Sequence, residues 1–291
     1  MRMRFPLLLI NIALAHAHGR YHRDLKPANI GDKAKMKNSK NLLAILLLIV
    51  IQVSCYKGQQ VLHSKEATPE KNATLSILFD DAGENGFSDE DKQLITDIII
   101  QSEKKVRKLL PTLPEDIEVT AVLIDRNVDI VGGVTGRADA PGVVIVELSS
   151  VFPGGISAAA QSALSSTIFH EFHHLDRGWT IQGNKFGAGI PIAAVNEGLA
   201  SVFSEEYTGV YFEESESYPE DAFKWLEEIL SLPKDANYST WMMGEHPDGR
   251  NYIGYRVGRY IVHQAMANSG KNIIELSKLS PDEILGIVAG R

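Results

Sequence analysis

Polar and apolar residues alternate over residues 75–79, and this period of two predicts a half-buried β-strand. A turn follows, after which Ser88 and Asp91 form the pattern of a capping box. One apolar stripe then continues to Leu110, where Pro111 stops it. The pattern therefore predicts a strand, a turn and a long amphipathic helix.

Two further apolar runs, 117–124 and 143–148, predict strands on either side of a glycine-rich segment, 132–136. We interpret that segment as irregular. Together with the first strand, the two runs predict a small sheet. The pattern does not identify its edge strand.

After this sheet the period changes to that of helices. Ser157 precedes residues 158–175, which contain neither Pro nor Gly, and this predicts a buried helix capped by Ser157. Further helices are predicted from about Val195, over 221–232 and over 251–267. The order of elements predicts an α+β fold, a small N-terminal sheet followed by a mostly helical part.

The segments before residue 73 differ in composition from this domain. Residues 1–35 contain H-R-D-L-K-P-x-N, which resembles the catalytic loop of serine/threonine protein kinases, but no other kinase element accompanies it. We predict that these residues lie outside the fold, that 36–55 is a lipoprotein signal peptide with Cys55 as its lipidation site, and that 56–72 is a flexible tether. The predicted folded domain is 73–291.

These segments predict a protein anchored by lipid to a bacterial cell envelope, outside the cytoplasmic membrane. Plain secretion and a membrane span over 42–53 are the alternatives. Cys55 is the single cysteine of the 291 residues, so stability must come from the core and from a metal rather than from disulfides. The net charge of −8, without a basic stripe, argues against nucleic acid as a partner.

The helix over 158–175 carries H-E-x-x-H, with His170 and His174 four residues apart and Glu171 directly after the first. Residues four apart share one face of a helix, so two imidazoles can bind one zinc ion beside Glu171. His173 is interpreted as a packing or supporting histidine. Arg177 and Thr180 occupy the positions where a metzincin carries Gly and its third His, which excludes that class.

A catalytic zinc ion usually has a third protein ligand, and the carboxylates that follow are candidates for it: Glu197, Asp176, Glu205 and Glu206. The sequence N-E-G-L-A at 196–200 resembles that of gluzincin metallopeptidases related to aminopeptidase N. It resembles more closely a bacterial family of predicted zinc-dependent proteases, classed as a domain of unknown function, that pairs H-E-[FY]-H-H with E-G-L-A. The resemblance covers about residues 73–285.

This resemblance implies a Zn²⁺ cofactor held by His170, His174 and Glu197, with Glu205 as the second choice for the third ligand. It implies hydrolysis of a peptide or protein substrate with Glu171 as general base. Gluzincins also place a Tyr or His from a later helix at the oxyanion, which suggests Tyr255 within G-Y-x-x-G.

The predicted helix over 251–267 has a polar side formed by Tyr252, Tyr255, Arg256 and Arg259. We interpret this side as a solvated face, with Tyr255 as a candidate oxyanion donor and His246 as its rival. The alternative to the enzyme is a surface lipoprotein that binds a ligand or a structural metal without catalysis.

Overall fold

The computed structural model describes residues 73–80 and 86–290. The predictions for residues 1–35, 36–55 and 56–72, including Cys55, fall outside the described residues and stay predictions. Among the described residues, no helix combines the length and the apolar character that a membrane span requires.

The described part has a four-stranded sheet followed by a mostly helical part, which confirms the predicted α+β fold. The strands are β1 (Thr74–Asp80), β2 (Asp116–Ile124), β3 (Val134–Ala140) and β4 (Val143–Ser149). Their order in the sheet is β1-β2-β4-β3. The β1–β2 and β2–β4 pairs are parallel, and β3 pairs with β4 in the antiparallel sense. The edge strands are therefore β1 and β3.

The helices in chain order are α1 (Asp89–Leu109), α2 (Gly155–Ala159), α3 (Ser165–Arg177), α4 (Ile190–Thr208), α5 (Glu213–Glu216), α6 (Ala222–Leu230), α7 (Ile253–Ser269), α8 (Ile273–Leu276) and α9 (Pro281–Val288). A π-helical segment, Ala160–Leu164, joins α2 to α3. Another π-helical turn, Ser239–Met243, precedes α7.

The first strand and the first helix form as their sequences predict. Leu75, Ile77 and Phe79 of β1 are half-buried and alternate with exposed residues, one of which is Leu78. The Ser88 side chain accepts from the Asp91 backbone N–H, and the Asp91 carboxylate accepts from Ser88, so the capping box is present. This confirms the predicted start of α1.

The glycine-rich segment 132–136 is irregular only at Gly132 and Gly133, which lie in a turn with positive φ, whereas residues 134–140 form β3. The glycines suggested a loop, yet Gly136 lies inside the strand and is exposed. A Cβ built there would lie 2.7 Å from Glu171 Cγ and 2.7 Å from Thr167 Cγ2. Glycine at 136 thus lets β3 pass directly beside α3, which is a reason of tertiary packing that local pattern does not reveal.

The predicted cap of the long helix is also wrong. The helix begins at Gly155, with Gly154 as N-cap in a left-handed conformation, φ 92°. Ser157 therefore lies in the first turn, where its hydroxyl donates to Asp91 Oδ1 at 2.7 Å. This bond ties the start of α2 to the start of α1.

The core of the helical part is built around α4, whose residues 193–204 are all buried. Helices α3 and α7 both pack against it, and α3 also contacts α1 and β3. A helix that is apolar all round is expected at such a position. The H-E-x-x-H helix therefore lies between the edge of the sheet and the central helix.

Candidate metal centre

The two histidines of H-E-x-x-H lie one turn apart on α3 and face the same space. Their ring centroids are 4.6 Å apart, and His170 Nε2 lies 2.9 Å from His174 Nε2. The αL residue Gly178 ends the helix, and its N–H binds the carbonyls of His174 and Leu175. The local fold thus presents two nitrogen ligands from one rigid helical turn.

Glu197 comes to the same point from α4. Its Oε2 lies 3.1 Å from His170 Nε2 and 3.2 Å from His174 Nε2. These are the three residues that form a group able to hold a metal ion in the part of the chain that the structure describes.

The spacing of these atoms fits a zinc ion. Tetrahedral zinc with ligands at about 2.0–2.1 Å keeps its ligand atoms about 3.3 Å apart. The three observed separations, 2.9, 3.1 and 3.2 Å, are close to that value. A cation at this point would also offset the charge of the Glu197 carboxylate.

The pKa values of the ligands reflect the same convergence. Burial opposes the ionised form of Glu197, but the charges and hydrogen bonds of the two imidazoles outweigh it and hold its pKa well below the usual range. Burial likewise opposes protonation of His170, while its hydrogen bond to Glu197 and the nearby Glu171 raise its pKa. Both shifts favour an ionised Glu197 carboxylate beside a positively charged imidazole.

Glu171 lies beside this group and is only 5% exposed. Burial raises its pKa, the imidazoles of His170 and His174 lower it, and the Ala138 backbone N–H donates to its carboxylate. Because Ala138 belongs to β3, the edge strand fixes the carboxylate's orientation. Gly136 leaves the room that the Glu171 side chain fills.

The outer edge of β3 is exposed next to Glu171. Ser149 N–H donates to Gly133 O at 2.9 Å, which makes residues 133 and 149 a hydrogen-bonded pair. The alternation of an antiparallel ladder then turns the N–H and C=O of Gly136 and Ala138 away from β4. Ala138 O accepts from Ile181 N–H at 3.0 Å, whereas Gly136 is exposed.

Two tyrosine hydroxyls face the same acidic group. Tyr255 of α7 donates to Glu197; burial and then the charge of Glu197 raise the pKa of Tyr255 well above its usual value. Burial, Glu197 and Glu171 also raise the pKa of Tyr238, although the residue as a whole is 43% exposed. Both hydroxyls thus keep their protons and can donate hydrogen bonds.

Sequence analysis did not single out Tyr238, which precedes the π-helical turn and belongs to no motif. His246, the rival of Tyr255, instead has its Nδ1 2.9 Å from Asp248 Oδ1, and its ring lies against Trp241.

The other candidate ligands have partners elsewhere. His173 is fully buried with Nε2 2.8 Å from Ser277 Oγ, as expected for a packing histidine. Asp176 accepts from Thr112 Oγ1 at 2.7 Å. Glu205 pairs with Arg259, and Glu206 is exposed on the surface.

Arg259 shows that the predicted solvated face of α7 is wrong. Its side chain is nearly fully buried between Glu205 and Glu216, and its guanidinium lies 4.8 Å from the centroid of the Tyr211 ring. Because these charges are paired, Arg259 can remain inside the protein.

The glycines of the two later motifs allow α4 and α7 to approach closely. A Cβ at Gly198 would lie 2.2 Å from the Gly258 carbonyl carbon, and one at Gly258 would lie 2.1 Å from Ala194 O. Gly254 leaves similar space for Met242. This contact brings Tyr255 within hydrogen-bond reach of Glu197.

Asn196, the residue before Glu197, connects α4 to the end of α3. Its Oδ1 accepts from Arg177 Nε at 2.9 Å, and its amide donates to Ile192 O at 2.9 Å. Arg177 is buried at the end of α3 and also donates to Ser277 O. The end of the histidine helix is thereby joined to the start of the glutamate helix.

An α+β fold that brings two helical imidazoles, a carboxylate and a buried second carboxylate together defines a candidate metalloprotein with an H-E-x-x-H centre. Residues 95–286, about two thirds of the chain, match the family model described as "Predicted Zn-dependent protease (DUF2268)". The chain belongs to this family, and the predicted family resemblance is confirmed to that extent. A search of curated proteins and a search of solved structures each returned no significant match.

Proposed function

We propose that this protein is a zinc-dependent peptidase of the gluzincin type, with His170, His174 and Glu197 as ligands. The observation that carries the proposal is the convergence of their three ligand atoms at 2.9–3.2 Å beside the buried carboxylate of Glu171. The description of the family as zinc-dependent supports the choice of metal.

Zinc held by these residues would supply a Lewis acid that lowers the pKa of a bound water and polarises a carbonyl group. Glu171 takes the proton of the attacking water and passes it to the leaving amine. Its burial beside the three ligand atoms places the carboxylate where a base for that water is needed. The Ala138 N–H holds it in place.

An extended peptide is the substrate that the open edge of β3 supports. Gly136 is exposed and turns its backbone N–H and C=O outward beside Glu171, so a substrate strand can pair with it and place its scissile bond near the carboxylate.

The oxyanion would be stabilised by a tyrosine hydroxyl, and Tyr255 is our first choice because it already contacts Glu197. Tyr238 is the alternative. At saturating zinc, Tyr255→Phe should reduce kcat about 10²- to 10³-fold, and the loss of its hydrogen bond to Glu197 should also weaken zinc binding. A larger loss in Tyr238→Phe than in Tyr255→Phe would reverse this assignment.

We further propose that the peptidase acts outside the cytoplasmic membrane of a bacterium, held to the envelope through Cys55. The signal-peptide pattern of residues 36–55 and the polar segment 56–72 support this location. Its partners would then be extracellular or periplasmic peptides or proteins, together with the membrane that holds the lipid.

The test compares zinc content and chelator-sensitive peptide cleavage in ligand variants. His174→Ala and Glu197→Ala should lose most of their zinc and their activity. Glu205→Ala is the matched control, since this carboxylate was the second choice for the ligand but pairs with Arg259. Zinc retained in Glu197→Ala and lost in Glu205→Ala would contradict the proposed ligand set.

A further inference from the structure

Besides the hydrogen bond that it accepts from Tyr255, Glu197 has different partners at its two oxygens. Oε2 faces His170 and His174, whereas Oε1 accepts a hydrogen bond from Trp179 Nε1 at 2.9 Å. Glu197 is almost fully buried, so water does not readily replace this bond. One oxygen is thus directed at the metal site and the other at an indole.

The backbone at the end of α3 places this indole. Gly178 adopts the left-handed conformation, φ 71°, and the Trp179 N–H then donates to His174 O at 2.9 Å. The residue that contacts Glu197 is therefore attached to the same helical turn that carries a histidine of the site. The half-buried ring packs on the core, with Phe186 6.5 Å away.

We propose that Trp179 is a positioning residue that keeps Glu197 bound to the metal through one oxygen only. This deepens the proposed zinc site and rests on it. An indole N–H is a donor without acceptor capacity or charge, so it neither ligates the metal nor neutralises the carboxylate. It occupies Oε1, which would otherwise be available to bind as a second oxygen.

The consequence concerns the open coordination position. A catalytic zinc site has three protein ligand atoms and one position for water or substrate. A Glu197 that binds through both oxygens would take up a further position and crowd that opening. Hydrogen-bond partners of metal ligands commonly change metal affinity or activity about 10- to 100-fold when they are removed.

The test uses the full chain with Trp179→Phe, which keeps an aromatic ring and removes the N–H. Trp225→Phe is the control, because that indole lies on α6, where its ring contacts the Arg250 guanidinium. Competition with a chelator should show zinc binding about 10- to 100-fold weaker in Trp179→Phe and unchanged in Trp225→Phe. In the cobalt-loaded protein, the visible absorption of four-coordinate Co²⁺ should weaken, as it does when the coordination number rises.

A second measurement does not depend on the folding of Trp179→Phe. The chain has three tryptophans, so Trp225→Phe and Trp241→Phe assign the indole N–H signal of Trp179 by elimination in NMR spectra. Zinc should shift this signal more than the other two and slow its exchange with solvent.

The outcomes separate the two proposals. If the wild type and Trp179→Phe bind zinc equally tightly and their cobalt spectra are the same, the role of Trp179 is overturned, but the zinc site is not. A Trp179 indole N–H signal that neither shifts nor exchanges more slowly when zinc is added would also overturn the role of Trp179. Wild-type protein that binds no zinc would overturn the zinc site and this inference with it.

Discussion

The contact between α4 and α7 yields a prediction that the sequence motifs alone do not. Gly198→Ala adds a methyl group that would lie 2.2 Å from the carbonyl carbon and 2.3 Å from the oxygen of Gly258. Ordinary contacts of this kind begin at 3.4 Å. Both atoms belong to the backbone, so no side-chain rotation relieves the clash and the two helices must separate.

The magnitude follows from two opposing effects. Over-packing of a core costs about 1–3 kcal/mol, and a backbone clash belongs at the upper end of that range. Alanine in place of glycine inside a helix stabilises by about 1 kcal/mol. The free energy of unfolding should therefore fall by about 2 kcal/mol, which for a domain of this size lowers the melting temperature by about 4–8 °C.

Thermal unfolding of the metal-free protein measures this change. Gly286→Ala is the control, because a Cβ at this position of α9 meets nothing within 4 Å, and it should stabilise by about 0.5–1 kcal/mol. Gly198→Ala should also bind zinc more weakly, since residue 198 follows the proposed ligand Glu197. A Gly198→Ala protein that melts at or above the wild-type temperature would refute the account of close helix approach.

Three further predictions concern charge and the N-terminal segment. Arg259→Met leaves the buried carboxylate of Glu216 unpaired and should lower the free energy of unfolding by about 3–5 kcal/mol in urea titrations. Lys224→Met removes an exposed ion pair and should change the free energy of unfolding by at most about 1 kcal/mol. Equal effects of the two substitutions would contradict the buried pair. For Glu147, burial opposes ionisation, but the hydrogen bonds of two arginines lower its pKa from the usual 4.5. The stability that the ionised Glu147 contributes should therefore be present above pH 4.5 and lost as the pH falls through the lowered pKa. A constant stability difference between wild type and Glu147→Gln from acid to neutral pH would exclude this. Cys55→Ser should abolish incorporation of labelled lipid and release the protein from membranes, and an uncleaved variant that stays in membranes would show that the preceding apolar run is the anchor.

Local signals in the sequence predicted the elements whose causes are local. The capping box at Ser88, the alternation in β1 and the spacing of H-E-x-x-H depend on residues within one or two turns of each other. The family likeness added Glu197, a residue on the next long helix, and the structure brings its carboxylate to the two histidines.

The features that were missed depend on contacts between distant residues. Gly136 suggested a loop because glycine is rare in strands. The structure shows that glycine is needed there because the side chain of Glu171 on α3 occupies the space of a Cβ. Arg259 looked solvated because its partners, Glu205 and Glu216, lie more than forty residues away in sequence. Trp179 and Tyr238 belong to no periodic pattern, so only the folded chain shows that they face Glu197.

The central claim is that Glu171 transfers a proton at a zinc site, and Glu171→Gln tests it most directly. The amide keeps the shape of the side chain and leaves His170, His174 and Glu197 intact, so zinc content and melting temperature should match those of the wild type. Hydrolysis of peptides from a broad library should fall about 10²- to 10⁴-fold, because the general base is gone. Cleavage by Glu171→Gln at the wild-type rate would contradict the assignment, and zinc-loaded wild-type protein that cleaves no peptide would instead favour a binding protein without catalysis.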